Sequence, residues 1–152
     1  MSEATADVNE LLDQAKVPTA VKGAAIALGA GGLLVALVGL QNLVLVSWIG
    51  WFAAVPIALL ALGVVGIGVA ASLVRARAWS LNASLALAGL LSVGCIGYFA
   101  VALMSGVFAW LTILALGGAI TALVLAILAV NPFKKLMVVR SELRYHGYDL
   151  NL

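Results

Sequence analysis

The sequence predicts an all-α integral membrane protein: four transmembrane helices arranged as two antiparallel hairpins, with both termini cytoplasmic. Three observations carry this prediction. Of 152 residues, 65% are hydrophobic and 9% charged, whereas a soluble domain is roughly half apolar and about a quarter charged. Four long apolar runs each reach the roughly 20 residues that a helix needs to cross the hydrocarbon core. All eight Lys and Arg fall in residues 16–22 (Lys16, Lys22), the 75–80 loop (Arg75, Arg77) or the C-terminal tail (Lys134, Lys135, Arg140, Arg144). The connections at Leu43–Gly50 and Ser105–Gly106 carry none. By the positive-inside rule, four spans then leave both tails in the cytoplasm.

Residues 1–17 form an acidic segment, and Val8, Leu11, Leu12 and Ala15 give it the spacing of a short amphipathic helix. Its polar face (Glu3, Asp7, Glu10, Asp13) has the wrong sign for an anionic leaflet, so it is expected to dock on protein. No cleavable signal peptide is expected, because this leader is acidic where a signal begins basic. The transmembrane domain follows over residues 18–131, with spans at about 18–40, 52–74, 81–104 and 107–130.

The first span carries Ala25, Gly29, Gly32, Ala36 and Gly39 at alternating spacings of four and three. That spacing lines small residues along one seam, where a second helix approaches closely. Gln41 and Asn42 are expected to end it. The second span has Pro56 in its opening turns, where proline does least damage. A similar seam there is Ala54, Ala58, Ala61, Val65, Gly68 and Ser72. Ser80 is the candidate N-cap of the third span, and Ser105-Gly106 reads as a tight turn into the fourth. The fourth aligns Ala115, Gly118, Ala122, Ala126 and Ala129 before Asn131-Pro132 stops it. The tail, residues 132–152, sets Phe133, Leu136, Met137 and Leu143 against a basic cluster of Lys134, Lys135, Arg140 and Arg144, joined on the cytoplasmic side by Arg75 and Arg77.

The chemistry this sequence omits narrows its function. No Asp, Glu, Lys, Arg or His lies between Gly23 and Val74 or between Ala78 and Phe133, although buried ionisable groups mark proton-coupled carriers and ion paths. The single histidine, His146, lies in the tail, so axial haem ligation within the helices and a histidine-based nucleophile are both excluded. Cys95 is the one cysteine and has no partner for a disulfide or a multi-cysteine metal site. No cofactor and no metal are expected, and the net charge of +2 gives no footprint for nucleic acid. Ser72, Ser84, Ser92, Thr112 and Thr121 either line a polar path or bond back to their own helices.

These features point to a non-enzymatic protein: a self-assembling or accessory subunit, or scaffold, of a membrane complex. Its expected partners are the lipid bilayer, copies of itself or other membrane subunits, and a soluble cytoplasmic partner at the charged tails. The alternative is a small pore, or a carrier for neutral or lipid-like molecules, which works without charges. The expected location is a bacterial inner membrane. Four spans occur in many unrelated proteins, so the architecture alone supplies no function.

Overall fold

Four apolar runs without an interrupting charge leave the backbone one way to satisfy its own N–H and C=O groups in hydrocarbon, which is to coil. A computed structural model, describing residues 11–46, 54–104, 110–145 and 147, has among them the helical residues 11–14, five longer helices and no strand. The five are α1 (Thr19–Val46), α2 (Ala54–Val74), α3 (Ser80–Met104), α4 (Trp110–Leu128) and α5 (Val130–Tyr145). Helices α1 to α4 are long and apolar enough to cross a membrane. At 1.5 Å per residue even α4, the shortest of the four, is ~28 Å long, close to the ~30 Å of a bilayer core. The four pack as a ring, in which α1 touches α2 and α4 while α3 touches α2 and α4.

The packing is tightest where glycines let backbones meet. A Cβ placed on Gly39 would stand 2.6 Å from the Leu60 nitrogen and 2.7 Å from the Pro56 oxygen. One on Gly32 would stand 2.8 Å from the Gly63 oxygen, and one on Gly63 would overlap the backbone of Gly32 and Ala36. On the neighbouring side of α1, a Cβ on Gly31 would lie 3.1 Å from the Gly118 oxygen of α4. Residue numbers rise along α1 as they fall along α2, from Gly29 opposite Ala70 to Gly39 opposite Pro56.

Side chains follow the logic of an apolar solvent. The interior is rich in small groups, with Ala88, Ala115, Ala119 and Ala122 almost fully buried around Leu28, Val35 and Leu91. Bulky Ile26, Val93 and Trp110 face outward.

Two helix boundaries differ from the sequence expectation. Helix α1 does not end at Gln41-Asn42 but continues to Val46. The Asn42 side chain is accommodated because its Nδ2 donates to the Val38 carbonyl at 2.7 Å and its Oδ1 accepts from the Tyr98 hydroxyl of α3. Helix α4 closes at Leu128, and Asn131-Pro132 lies in the first turn of α5. Proline fits there because the opening N–H groups of a helix have no internal acceptor. The helical bonds Ala129 N–H to Leu125 O and Phe133 N–H to Ala129 O, both 2.9 Å, run on through the junction. Of the acidic leader, residues 11–14 are helical, residues 15–17 are turn and irregular chain, and residues 1–10 lie outside the described residues. So do Ser105, Gly106 and His146, the 47–50 part of the expected connection, and residues 51–53 at the start of the second span.

Gly63→Ala is expected to destabilise the protein by roughly 1–3 kcal/mol, as overpacking does when only backbone can give way. Gly97→Ala, with nothing within 4 Å of the added methyl, is expected to be neutral or to gain up to about 1 kcal/mol from helix propensity. Thermal unfolding of the two variants in one detergent checks this; equal shifts would contradict the glycine contact.

Candidate functional site

Of the sequence-predicted seams, that of α1 turns toward its neighbours. Ala25, Gly32 and Gly39 are buried, and Gly29 and Ala36 are half-buried. In α4, Ala115, Ala122 and Ala126 are buried, and Gly118 is half-buried against Gly31. In α2, Ala54, Ala58, Ala61 and Gly68 are exposed. The inward face of α2 is instead Pro56, Leu59, Gly63, Gly66, Val69, Ala70 and Leu73. Gly63 and Gly66 stand close together with Gly68 in the sequence, and the alternating seam passes over both.

Four of the five hydroxyls that a polar path would use bond back to their own helices. Ser72 donates to the Gly68 carbonyl (3.1 Å), Ser84 to Leu81 (2.7 Å), Ser92 to Ala88 (2.8 Å) and Thr121 to Gly117 (2.8 Å). The Thr112 Oγ1 is buried without a hydrogen-bond partner. Cys95 is buried among apolar neighbours. Among the described residues, no group of three His, Cys, Asp or Glu side chains stands close enough to hold a metal ion.

The densest convergence of polar and charged groups is at the end of the ring where the basic segments meet. Helix α2 ends there in a Schellman turn: Ala76 N–H donates to the Leu73 carbonyl at 2.9 Å and Arg77 N–H to Ser72 at 3.3 Å. Ala76, not glycine, takes the left-handed position with φ 49°, a conformation costing an L-residue roughly 1–2 kcal/mol. Its methyl is buried in a cluster with Val21, Leu73, Leu81, Phe133 and Leu136, so residues from α1, α2, α3 and α5 meet around it. Ser80 is buried and opens α3, but its hydroxyl donates back to the Arg77 carbonyl of the turn at 2.6 Å, which is not the N-cap bond expected of it, since a cap accepts from an N–H of the helix.

Arg140 of α5 spans this end. Its Nη1 donates to the Ala76 carbonyl at 3.4 Å and its Nη2 to the Ala15 carbonyl at 3.5 Å. Both bonds are long, and together they join the tail helix to the α2–α3 turn and to the segment before α1. Partial burial lowers the Arg140 guanidinium from its ordinary pKa, yet arginine stays charged at neutral pH. In the sequence Arg140 is one of a basic cluster, with no sign that it alone turns inward. Lys22, Arg75, Arg77, Lys134, Lys135 and Arg144 are exposed. Lys16 pairs with Asp13 at 2.5 Å, the one ion pair among the described residues. Between Pro18 and the start of α5 lies an open groove of about 450 Å³, its lining including Asn131, Lys135 and Val139.

The chain matches no protein-family model, no curated protein and no solved structure.

Arg140→Gln is expected to release the α2–α3 turn, which holds two trypsin sites at Arg75 and Arg77. Loss of two long charge-assisted bonds should cost about 1–2 kcal/mol. Limited trypsinolysis should then cut the variant at Arg75 or Arg77 several-fold faster than the parent, and an unchanged rate would remove Arg140 as the tie.

Proposed function

We propose that this chain is a non-enzymatic, multi-pass membrane protein that acts as a self-assembling or accessory subunit, a scaffold within a membrane complex. The observation that carries the reading is the outward face of α2. The inner packing is met by Gly32, Gly39, Gly63, Gly31 and Gly118, while Ala54, Ala58, Ala61 and Gly68 remain exposed on a helix without charge. In lipid, helices associate through close van der Waals contact at small residues. A surface of this kind therefore suits another transmembrane helix, from a second copy or from a different subunit. The pore or carrier alternative has less support, because four of the five hydroxyls it would use, all but Thr112, are engaged with their own backbones.

In this reading the spans form two antiparallel hairpins with the basic end in the cytoplasm, as the distribution of Lys and Arg favours. The membrane is a bacterial inner membrane, and the cytoplasmic tails are the place for a soluble partner.

Gentle extraction followed by native mass spectrometry tests the proposal. The expected result is a defined multimer, or stoichiometric co-purification with other membrane subunits. The double variant Ala61→Leu, Gly68→Leu alters exposed positions, so it should keep the parent's melting temperature while losing that association. A parent that runs as a lone monomer, or a double variant that assembles like the parent, would refute it.

A further inference from the structure

We infer that the groove between Pro18 and the first turns of α5 binds the phosphate head of an anionic membrane phospholipid. Its position comes first. Pro18 directly precedes α1 and Asn131 follows α4, so the groove opens where two apolar spans end. On those same spans, Ile26 of α1 and Ile127 and Leu128 of α4 are exposed. A molecule seated in the groove is thus at headgroup depth, with apolar surface running away from it toward the hydrocarbon. Trp79, half-exposed at the same end, suits that depth.

The lining is amphipathic in the same sense. Lys135 supplies a compact positive charge, Asn131 an amide, and Pro18, Leu136 and Val139 apolar walls. Among the described residues that line it there is no carboxylate. Asp13, the acidic neighbour of the lining residue Gln14, is paired with Lys16. Lys134 and Lys22 are exposed on the elements that form the groove and add to the positive field. A phosphodiester with its glycerol matches this combination: charge for Lys135, acceptor oxygens for Asn131, and carbon for the walls. A soluble acidic peptide would match the cations but leave the apolar walls uncovered. The inference rests on the membrane reading and is independent of whether the protein assembles.

Native mass spectrometry of the full chain in detergent, titrated with phosphatidylglycerol or phosphatidylcholine, tests it. The parent should retain phosphatidylglycerol at least tenfold better. Each cation near an anionic headgroup contributes about fivefold, so Lys135→Glu should weaken retention by roughly twentyfold or more, while Lys135→Arg keeps it. Arg75→Gln, on the α2–α3 turn, should bind as the parent does. Melting temperatures in lipid-free detergent show that each variant is folded. Equal retention of the two lipids would overturn the inference, as would a Lys135→Glu variant that binds normally. So would equal losses in Lys135→Glu and Arg75→Gln, which would mean a diffuse charge effect. Displacement of the bound lipid by millimolar inorganic phosphate would reassign the groove to a soluble phosphate.

Discussion

The contact on which the rest of this structure depends is the meeting of α1 with two neighbours at consecutive glycines. Adjacent residues on a helix project about 100° apart, so Gly31 and Gly32 open two nearly perpendicular faces at one level. Gly31 receives Gly118 of α4, and Gly32 receives Gly63 of α2. The right angle between those directions makes α1 the corner of a ring rather than one member of a flat row. With α1 holding α2 and α4 apart, α3 closes the ring by packing on both. A methyl at either position would push one neighbour away and open that corner.

This economy follows from the solvent. In water a helix is held by withdrawing large apolar side chains, at about 25 cal/mol per Å². In hydrocarbon that gain vanishes between apolar surfaces, and what remains is the density of contact. Large side chains therefore lose their claim on the interior. Ile26, Val93 and Trp110 face outward, while alanines fill the centre beside a few leucines and valines. The one polar link across the ring among the described residues, Tyr98 to Asn42, joins groups that would otherwise stand unsatisfied. Its Asn42 also returns a bond to its own helix.

The four spans were legible because length and lack of charge decide them with little help from tertiary structure. Which face of each span turns inward was harder, and α2 shows why. Ala54, Ala58, Ala61 and Gly68 repeat with the same spacing that marks the inward line of α1, yet the inward line of α2 runs through Gly63 and Gly66. In a sequence this rich in alanine and glycine, the spacing selects several faces equally. The deciding quantity is a backbone-to-backbone distance at Gly63, which depends on the partner helix. Asn42 failed as a helix stop for a related reason, since its amide found partners on Val38 and Tyr98 that only the folded chain supplies. Asn131-Pro132 did mark a break, but proline that ends one helix is equally suited to open the next.

Charge and packing meet at the basic end. Charge distribution marked it as a single side of the membrane, yet it could not say which cation holds the structure and which face outward. The distinction comes from packing. Ala76 turns its methyl into the cluster of Val21, Leu73, Leu81, Phe133 and Leu136, and this fixes its left-handed backbone and the direction of its carbonyl. That carbonyl, past the last turn of α2, has lost its place in the helical ladder, and Arg140 is the donor that reaches it. The same guanidinium reaches Ala15, so the segment before α1 is tied to the fold by a residue that follows all four spans. One arginine is thus spent on the protein's own backbone. Lys135, on the same helix but turned toward the groove, is left to act on whatever lies beyond it.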